Sequence, residues 1–565
     1  MRGSSPTRLP SPRAGRLYVL AAALLAFGLE PLVGRLLLPQ FGGGFQVWTT
    51  SLMFFQGALF LAYAYAHLLA PRLGVAHLGL VALALVQLPP GIDGGGEGLG
   101  PLLMALAGVL LPFVALTSAS VVTQRWTLAA PGGPGSAYGL YAWSNAGSLG
   151  ALLLYVLVVE RFVPLGAQRL GWSVLYVAHL AVAVWAAREL RPGREPPGRV
   201  VRPRLGVLGA WVLLAAAPSA LSMAVTNLLA LEAGNLPLVW VPPLAVYLGS
   251  FVVAFAEPEE GERSRVPRAL RRLWPHVAFV GLFVYLGADG GGALPLVLQL
   301  LVLAVVALAA HGELYVRRPR GEGLTAFYLA IALGGWLGGA VVALLAPVAF
   351  PGLWEYPLAL ALLAGTMLVL RRDEAMRFVR RGPVPARVLS GLLLVLGAVL
   401  LAGDAARGPE GLEVLAARRS FYGLYRVDRW VGADGVAVRE LVSGSTRHGR
   451  QREGDPAPLS YYHREGPLGD VMALHASGSV AVVGLGVGAG AAYASAARPH
   501  RFYEIDPAVE ALARGFFAYL EDAGEAAEVV LGDARRRLQQ EEDEGAPEHA
   551  LLVVDAFTGD GIPIH

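Results

Sequence analysis

The chain has no cysteine among its 565 residues. This excludes disulfides, thiolate metal sites, iron–sulfur ligation and cysteine nucleophiles. Lysine is also absent, so all 45 basic residues are arginine. Neither a Walker-type phosphate lysine nor Schiff-base chemistry is available. Charge is scarce as well: charged residues make up 15%, against roughly 25% in a typical soluble domain. Hydrophobic residues reach 55% and mean hydropathy is +0.54. Those values exclude an ordinary soluble protein and make the lipid bilayer the first expected partner. A net charge of +3 leaves nucleic-acid binding without an electrostatic footing, and no metal is expected.

What is present falls into two regimes. From Leu17 to about Ala402, apolar runs alternate with short polar breaks. Some thirteen of these runs approach the roughly 20 residues that cross a bilayer as helix. Arginine clusters in alternate breaks, such as 188–204, 263–272 and 371–381. By the positive-inside rule, this places the N-terminus and the Arg-rich loops in the cytoplasm of a multi-pass protein of the cell membrane. The basic stretch 188–204 divides the spans six and six, a pattern that resembles the major facilitator arrangement. The organisation expected is therefore a basic tail (1–16), a first six-helix half (17–187), a basic linker (188–204) and a second half (205–370). A basic loop with a thirteenth candidate span, Val388–Ala402, follows (371–403). The side of the membrane that holds the remainder turns on whether that run crosses.

Within the first run, Glu30 is costly to ionise in hydrocarbon. It reads either as a coupling-ion or substrate site, or as a helix-end carboxylate beside Arg35. Gly334, Gly335, Gly338 and Gly339 form overlapping small-xxx-small pairs that suit close helix packing. Asn145 suits an interhelical hydrogen bond.

From about Asp404 the chain is charged, with short alternating apolar runs. Val480–Val483 is an apolar strand that enters a turn containing Gly484, Gly486 and Gly488. A helical segment is expected over Ala489–Ala497, and a second strand ends at Glu504 and Asp506. Glu504 lies twenty positions after Gly484, the spacing of a carboxylate that meets ribose hydroxyls in a Rossmann-like βαβ unit. A helix is expected over Pro507–Leu520, then a strand ending at Asp533, a polar helix over Arg535–Glu544, and a fourth strand ending at Asp555. Acids at successive strand ends converge on one crevice. Without a basic phosphate clamp, that crevice suits a neutral or cationic nucleoside.

The segments Gly484–Gly490, Tyr503–Pro507, Phe517–Leu520, Gly532–Ala534 and Asp555–Pro563 resemble the spermidine synthase family. More closely, they resemble its membrane-fused relatives, to which Glu30–Gly43 and Val47–Thr50 are also similar. The resemblance implies a major facilitator-like bundle, a small β-rich lid (404–475) and a Rossmann-like methyltransferase-fold domain (476–565) that stops after its fourth strand. It implies that Glu504, with Asp506 and the glycines, binds the adenosyl ribose, and that Asp533 and Ala534 meet the adenine. Asp555 and Asp560 would stand at the acceptor amine, with Gln451, Tyr462 and His463 facing the substrate. The implied co-substrate is decarboxylated S-adenosylmethionine or S-adenosylmethionine, and the implied reaction is aminopropyl transfer to a polyamine-type acceptor. Two other readings stand beside it. One is a polyamine or small-molecule transporter with a non-catalytic nucleoside- or polyamine-binding domain. The other is an S-adenosylmethionine-dependent methyltransferase.

Overall fold

The computed structural model describes residues 13–556 apart from 42–44, 70–73, 93–97, 130–136, 191–202, 234–237, 256–265, 268, 287–292, 320–322, 445 and most of 382–411. Apolar runs become helices because the hydrocarbon core offers backbone groups no other hydrogen-bond partner. The helices used below are α1 (Arg13–Phe41), α2 (Phe45–Leu68), α3 (His77–Leu83), α4 (Leu99–Ala107), α5 (Leu110–Ala129), α6 (Ala137–Leu154) and α7 (Leu165–Leu190). After the basic linker come α8 (Leu205–Ala233), α9 (Val241–Phe255), α10 (Leu270–Leu286), α11 (Ala293–Val316), α12 (Leu324–Ala340), α13 (Glu355–Leu370) and α14 (Arg372–Arg381). Among the described residues, seven helices are long and apolar enough to cross a membrane, and four shorter apolar helices accompany them. Large apolar side chains point outward, among them Leu170, Val174 and Leu175 on α7, as a surface against lipid tails requires.

Two expected spans are not single helices. Leu99–Val122 is the bent pair α4–α5, which turns by 63°. Pro112 has no N–H to continue the hydrogen-bond ladder across Gly108, so the helix breaks there. Val75–Leu88 is a short α-helix between two 3₁₀ turns. The thirteenth candidate, Val388–Ala402, lies largely outside the described residues.

Gly334 and Gly338, one of the two overlapping pairs on α12, do what their spacing suggests. A Cβ on Gly334 would lie 2.3 Å from the Val212 carbonyl oxygen, and one on Gly338 would lie 2.3 Å from that of Ala216. Backbone therefore meets backbone between α12 and α8, the closest approach that membrane helices use. Ser219 reinforces it by donating to the Gly335 carbonyl at 2.9 Å.

The C-terminal region contains two sheets. The first is an antiparallel meander in the order β1 (Leu412–Arg419), β2 (Leu424–Val431), β3 (Ala437–Ser443), β4 (Thr446–Arg452). The second is parallel, with β5 (Val480–Val483), β6 (His500–Glu504), β7 (Ala527–Leu531) and β8 (Leu551–Val554) in the order β7-β6-β5-β8. The segment expected as helix over Ala489–Ala497 is a 3₁₀ turn, Ala489–Tyr493, closed by a bridge between Ser495 and Arg498. The helix expected over Pro507–Leu520 stops at Phe516. Phe517 is extended, and the Ala518 N–H turns to the Gln451 side chain at 2.8 Å.

The meander is fixed to the bundle by a buried joint. Arg419, at the end of β1, grips Glu355 at the start of α13 through two bonds of 3.0 Å, and both side chains are 1% exposed. The same guanidinium donates to the Gly352 carbonyl at 3.1 Å. Inside the bundle, Asn227 on α8 donates to Glu355 at 3.0 Å and receives Thr49 of α2 at 3.3 Å. Phe421 and Leu424 pack against the bundle core.

Replacing Gly338 by leucine would force α12 away from α8. Overpacking of a tight contact costs about 1–3 kcal/mol, occasionally more. Gly338→Leu is therefore expected to lower the thermal unfolding midpoint of the detergent-solubilised protein, whereas Gly365→Ala, whose Cβ meets nothing within 4 Å, leaves it unchanged.

Candidate functional site

Two sites are built from polar residues in places where polarity is expensive. The first is a cavity of about 130 Å³ inside the bundle, enclosed by α1, α2, α5 and α6 of the first half and by α9 and α12 of the second. Its wall is mostly apolar, and its polar groups include Glu30, Gln56, Asn145 and Tyr247. Glu30 is 6% exposed. Arg35, the partner that a helix-end reading would give it, instead pairs with Glu160. Among the described residues Glu30 has no hydrogen bond or ion pair, which leaves its carboxylate to the cavity. Asn145, expected to tie helices together, lines the same space. Gln56 is held in place by its own bond to Ser219 at 3.1 Å. Because both halves contribute walls, any motion of one against the other must change this cavity.

The second site is the crevice at the C-terminal edge of the parallel sheet. The registers Val483 with Tyr503, Val483 with Val554 and Glu504 with Leu531 bring the four strand ends level. Glu504, Asp533 and Asp555 thus come to one edge, as the alternation of strands and acids suggested. Gly484 must be glycine: its φ is +96°, and a Cβ there would lie 2.2 Å from the Asp555 carbonyl oxygen. Gly486, at φ +56°, packs as closely on the His448 carbonyl of β4. Gly488 completes the turn at φ +79°.

Each acid has a distinct local duty. Glu504 is 8% exposed and accepts the N–H groups of Leu485 at 3.0 Å and Asp506 at 2.9 Å. Burial pushes its carboxyl up to about 7, against the pull of those N–H groups. Asp506 caps the helix Pro507–Phe516 through the Ala508 N–H at 2.9 Å and accepts the Ser420 hydroxyl. Its oxygens are therefore largely committed. Asp533 caps the helix Ala534–Asp543 through the Arg536 N–H at 3.1 Å, with Ala534 at the first helical position. Asp555 accepts the Tyr462 hydroxyl. Burial pushes its carboxyl up, and that hydroxyl pulls it down.

The residues implied as substrate-facing divide. Tyr462 is buried and reaches the crevice. Gln451 is buried but spends its amide on Ala518 and Asp455. His463 is exposed and caps a turn by accepting the Glu465 N–H at 3.2 Å. Asp560 lies outside the described residues. Tyr425 was not anticipated: it faces Asp506 and Glu504, and burial and those carboxylates raise its hydroxyl well above the ordinary value. His448 is held down to about 4 by burial and so stands neutral against the glycine turn. Ser420 and Arg419 were missed as well. Nothing in a strand of alternating polarity marks one arginine as buried. Among the described residues no group of three or more metal-ligating side chains occurs.

No family model matches the chain, and no curated protein matches it. Solved structures do. The xylose transporter XylE from E. coli matches at 13% identity over 66% of this chain and 99% of that one, with a TM-score of 0.41. A POT family transporter in complex with a thioalcohol-conjugated peptide matches at 10% identity over 64% of this chain and 96% of that one, with a TM-score of 0.45. The expected aminopropyl transfer from decarboxylated S-adenosylmethionine finds no counterpart in these matches, which are to sugar and peptide transporters. In this structure Asp506 and Asp533 cap helices, and Glu504 holds turn N–H groups.

The raised pKa of Glu504 has a consequence for stability. Between its unfolded value of about 4.5 and its folded value of about 7, the folded chain holds the proton more tightly than the unfolded chain. Stability contributed by this group is present below that window and is lost as pH rises through it. Thermal unfolding of the full chain should show a decrement between about pH 5 and 7, and Glu504→Gln should remove this decrement when the two pH profiles are subtracted.

Proposed function

We propose that the chain is a small-molecule transporter whose cavity takes a cationic solute, with a C-terminal domain that binds a nucleoside or polyamine without transforming it. The observation that carries this reading is Glu30, a carboxylate in the middle of an apolar helix that faces a cavity shared by both halves of the bundle. An unpaired carboxylate in that setting is most stable when a cation sits beside it. A cavity of about 130 Å³ is smaller than the roughly 300–1,000 Å³ of a drug-sized site. It suits a small amine held at one ammonium group, with the aliphatic remainder against Phe55, Phe113 and Leu248. The glycine turn, Glu504 and Asp533 at the sheet edge support the binding role of the second site, since short acidic strand ends next to a tight turn approach ribose hydroxyls closely.

The test is uptake of radiolabelled putrescine and a monoamine of similar length into proteoliposomes that contain the full chain. Uptake above that of empty liposomes is expected for at least one. Glu30→Gln should reduce it roughly tenfold or more, the factor that corresponds to about 1.4 kcal/mol of lost binding. Asp555→Asn should leave it intact, because Asp555 sits in the other domain. Absence of uptake of either amine by the unaltered protein, or full uptake by Glu30→Gln, would overturn the reading.

A further inference from the structure

The bundle has two chemically different ends, and the structure shows which one carries the C-terminal domain. At the first end, the Trp211 indole near the start of α8 donates to the Arg317 carbonyl at 3.1 Å, and Arg317 donates to the Leu370 carbonyl at the end of α13 at 3.0 Å. Glu313 on α11 holds both Arg317 and Arg371. The start of α8, the end of α11 and the end of α13 therefore lie together. This is the end at which the arginine clusters 188–204, 317–320 and 371–381 enter or leave the helices.

The opposite end is reached by following the same helices along their length. α8 has 29 residues, about 43 Å of helix. Near its far end, a Cβ on Gly444 of the β3–β4 hairpin would lie 2.9 Å from the Leu231 carbonyl oxygen. α13 begins at Glu355, which holds Arg419. Every contact described between the meander and the bundle is made at this end. The arginines nearby are few: Arg35 pairs with Glu160, Arg169 donates to the Pro90 carbonyl at 2.7 Å, and Arg161 lies over the Phe162 ring.

Arginine-rich loops remain on the cytoplasmic side because translocating them is unfavourable. From these contacts we propose that the C-terminal domain is docked on the extracytoplasmic face of the bundle, so that its crevice draws its ligand from outside the cytoplasm. The buried Arg419–Glu355 joint makes this a fixed cap rather than a tethered domain. Removing one partner of such a pair strands a buried charge. Ser420, the next residue, holds Asp506 beside Glu504, so the crevice is built directly onto the docking strand. The sulfonium co-substrates of the cytoplasm would not reach it. A ligand released or supplied on the outer side would. The placement rests on contacts and arginine distribution alone, and it holds or fails independently of whether the cavity carries an amine.

The absence of cysteine makes the test direct. Single cysteines are placed at Glu525 in the C-terminal domain and at Glu374 in α14, both exposed positions. The full-length variants are expressed, and sealed right-side-out membrane vesicles are treated with a membrane-impermeant maleimide before and after detergent permeabilisation. Glu525→Cys is expected to label fully in sealed vesicles, whereas Glu374→Cys labels only after permeabilisation. Labelling of both variants after permeabilisation confirms that each cysteine is accessible in the folded protein. Protection of Glu525→Cys in sealed vesicles, with labelling after permeabilisation, would place the domain in the cytoplasm and overturn the proposal. Putrescine uptake by the same variants reports separately on the transport reading.

Discussion

A low-dielectric interior tolerates no unanswered charge, and the arrangement of this protein follows from how each one is answered. The bundle contains few carboxylates. Glu160 is held by Arg35, Glu313 by two arginines, and Glu355 by Arg419 and Asn227. Apart from the local Glu313–Arg317 pair, each ties together segments that are distant in the chain: two helices of one half, two helices of the other, and the bundle with the C-terminal sheet. Glu30 departs from the pattern among the described residues, and it departs where a cavity lies beside it. The same electrostatic rule that explains the architecture therefore also marks the functional site.

Packing and polarity divide the work between the two regions. In the bundle, backbone-to-backbone contact through Gly334 and Gly338 seats α12, one wall of the cavity, directly against α8. In the C-terminal region, glycines with positive φ let a turn pass within van der Waals contact of a neighbouring strand, and acids at the strand ends cap helices or hold turn N–H groups. The two regions meet at residues 419–420. One residue points its guanidinium into the membrane half, and the next points its hydroxyl toward the acids of the crevice.

Glycine turns and strand-end acids are backbone devices. They recur wherever a parallel sheet must turn sharply and cap its helices, so their presence says how the chain folds more securely than what it transforms. Asp506 and Asp533 illustrate this, since both are helix caps by geometry. Gln451 and His463 are similar: their polar atoms meet backbone groups of the protein itself. Tyr462 and Asp555 meet each other at the crevice.

Much was legible from residues alone. Long apolar runs dictate helices in lipid, overlapping small residues mark a close helix pair, and the strand–turn–strand–acid order specifies the parallel sheet. All of these depend on local periodicity or on composition, which a linear chain carries in full. The end of the helix at Phe516, the burial of Arg419 against Glu355 and the exposure of Glu30 to a cavity were decided by tertiary structure. In each case the deciding partner is remote in sequence: Gln451 for Ala518, Glu355 for Arg419, and the helices of the second half for Glu30. A chain written in order records which groups need a partner, and only the folded bundle determines which of them receive one.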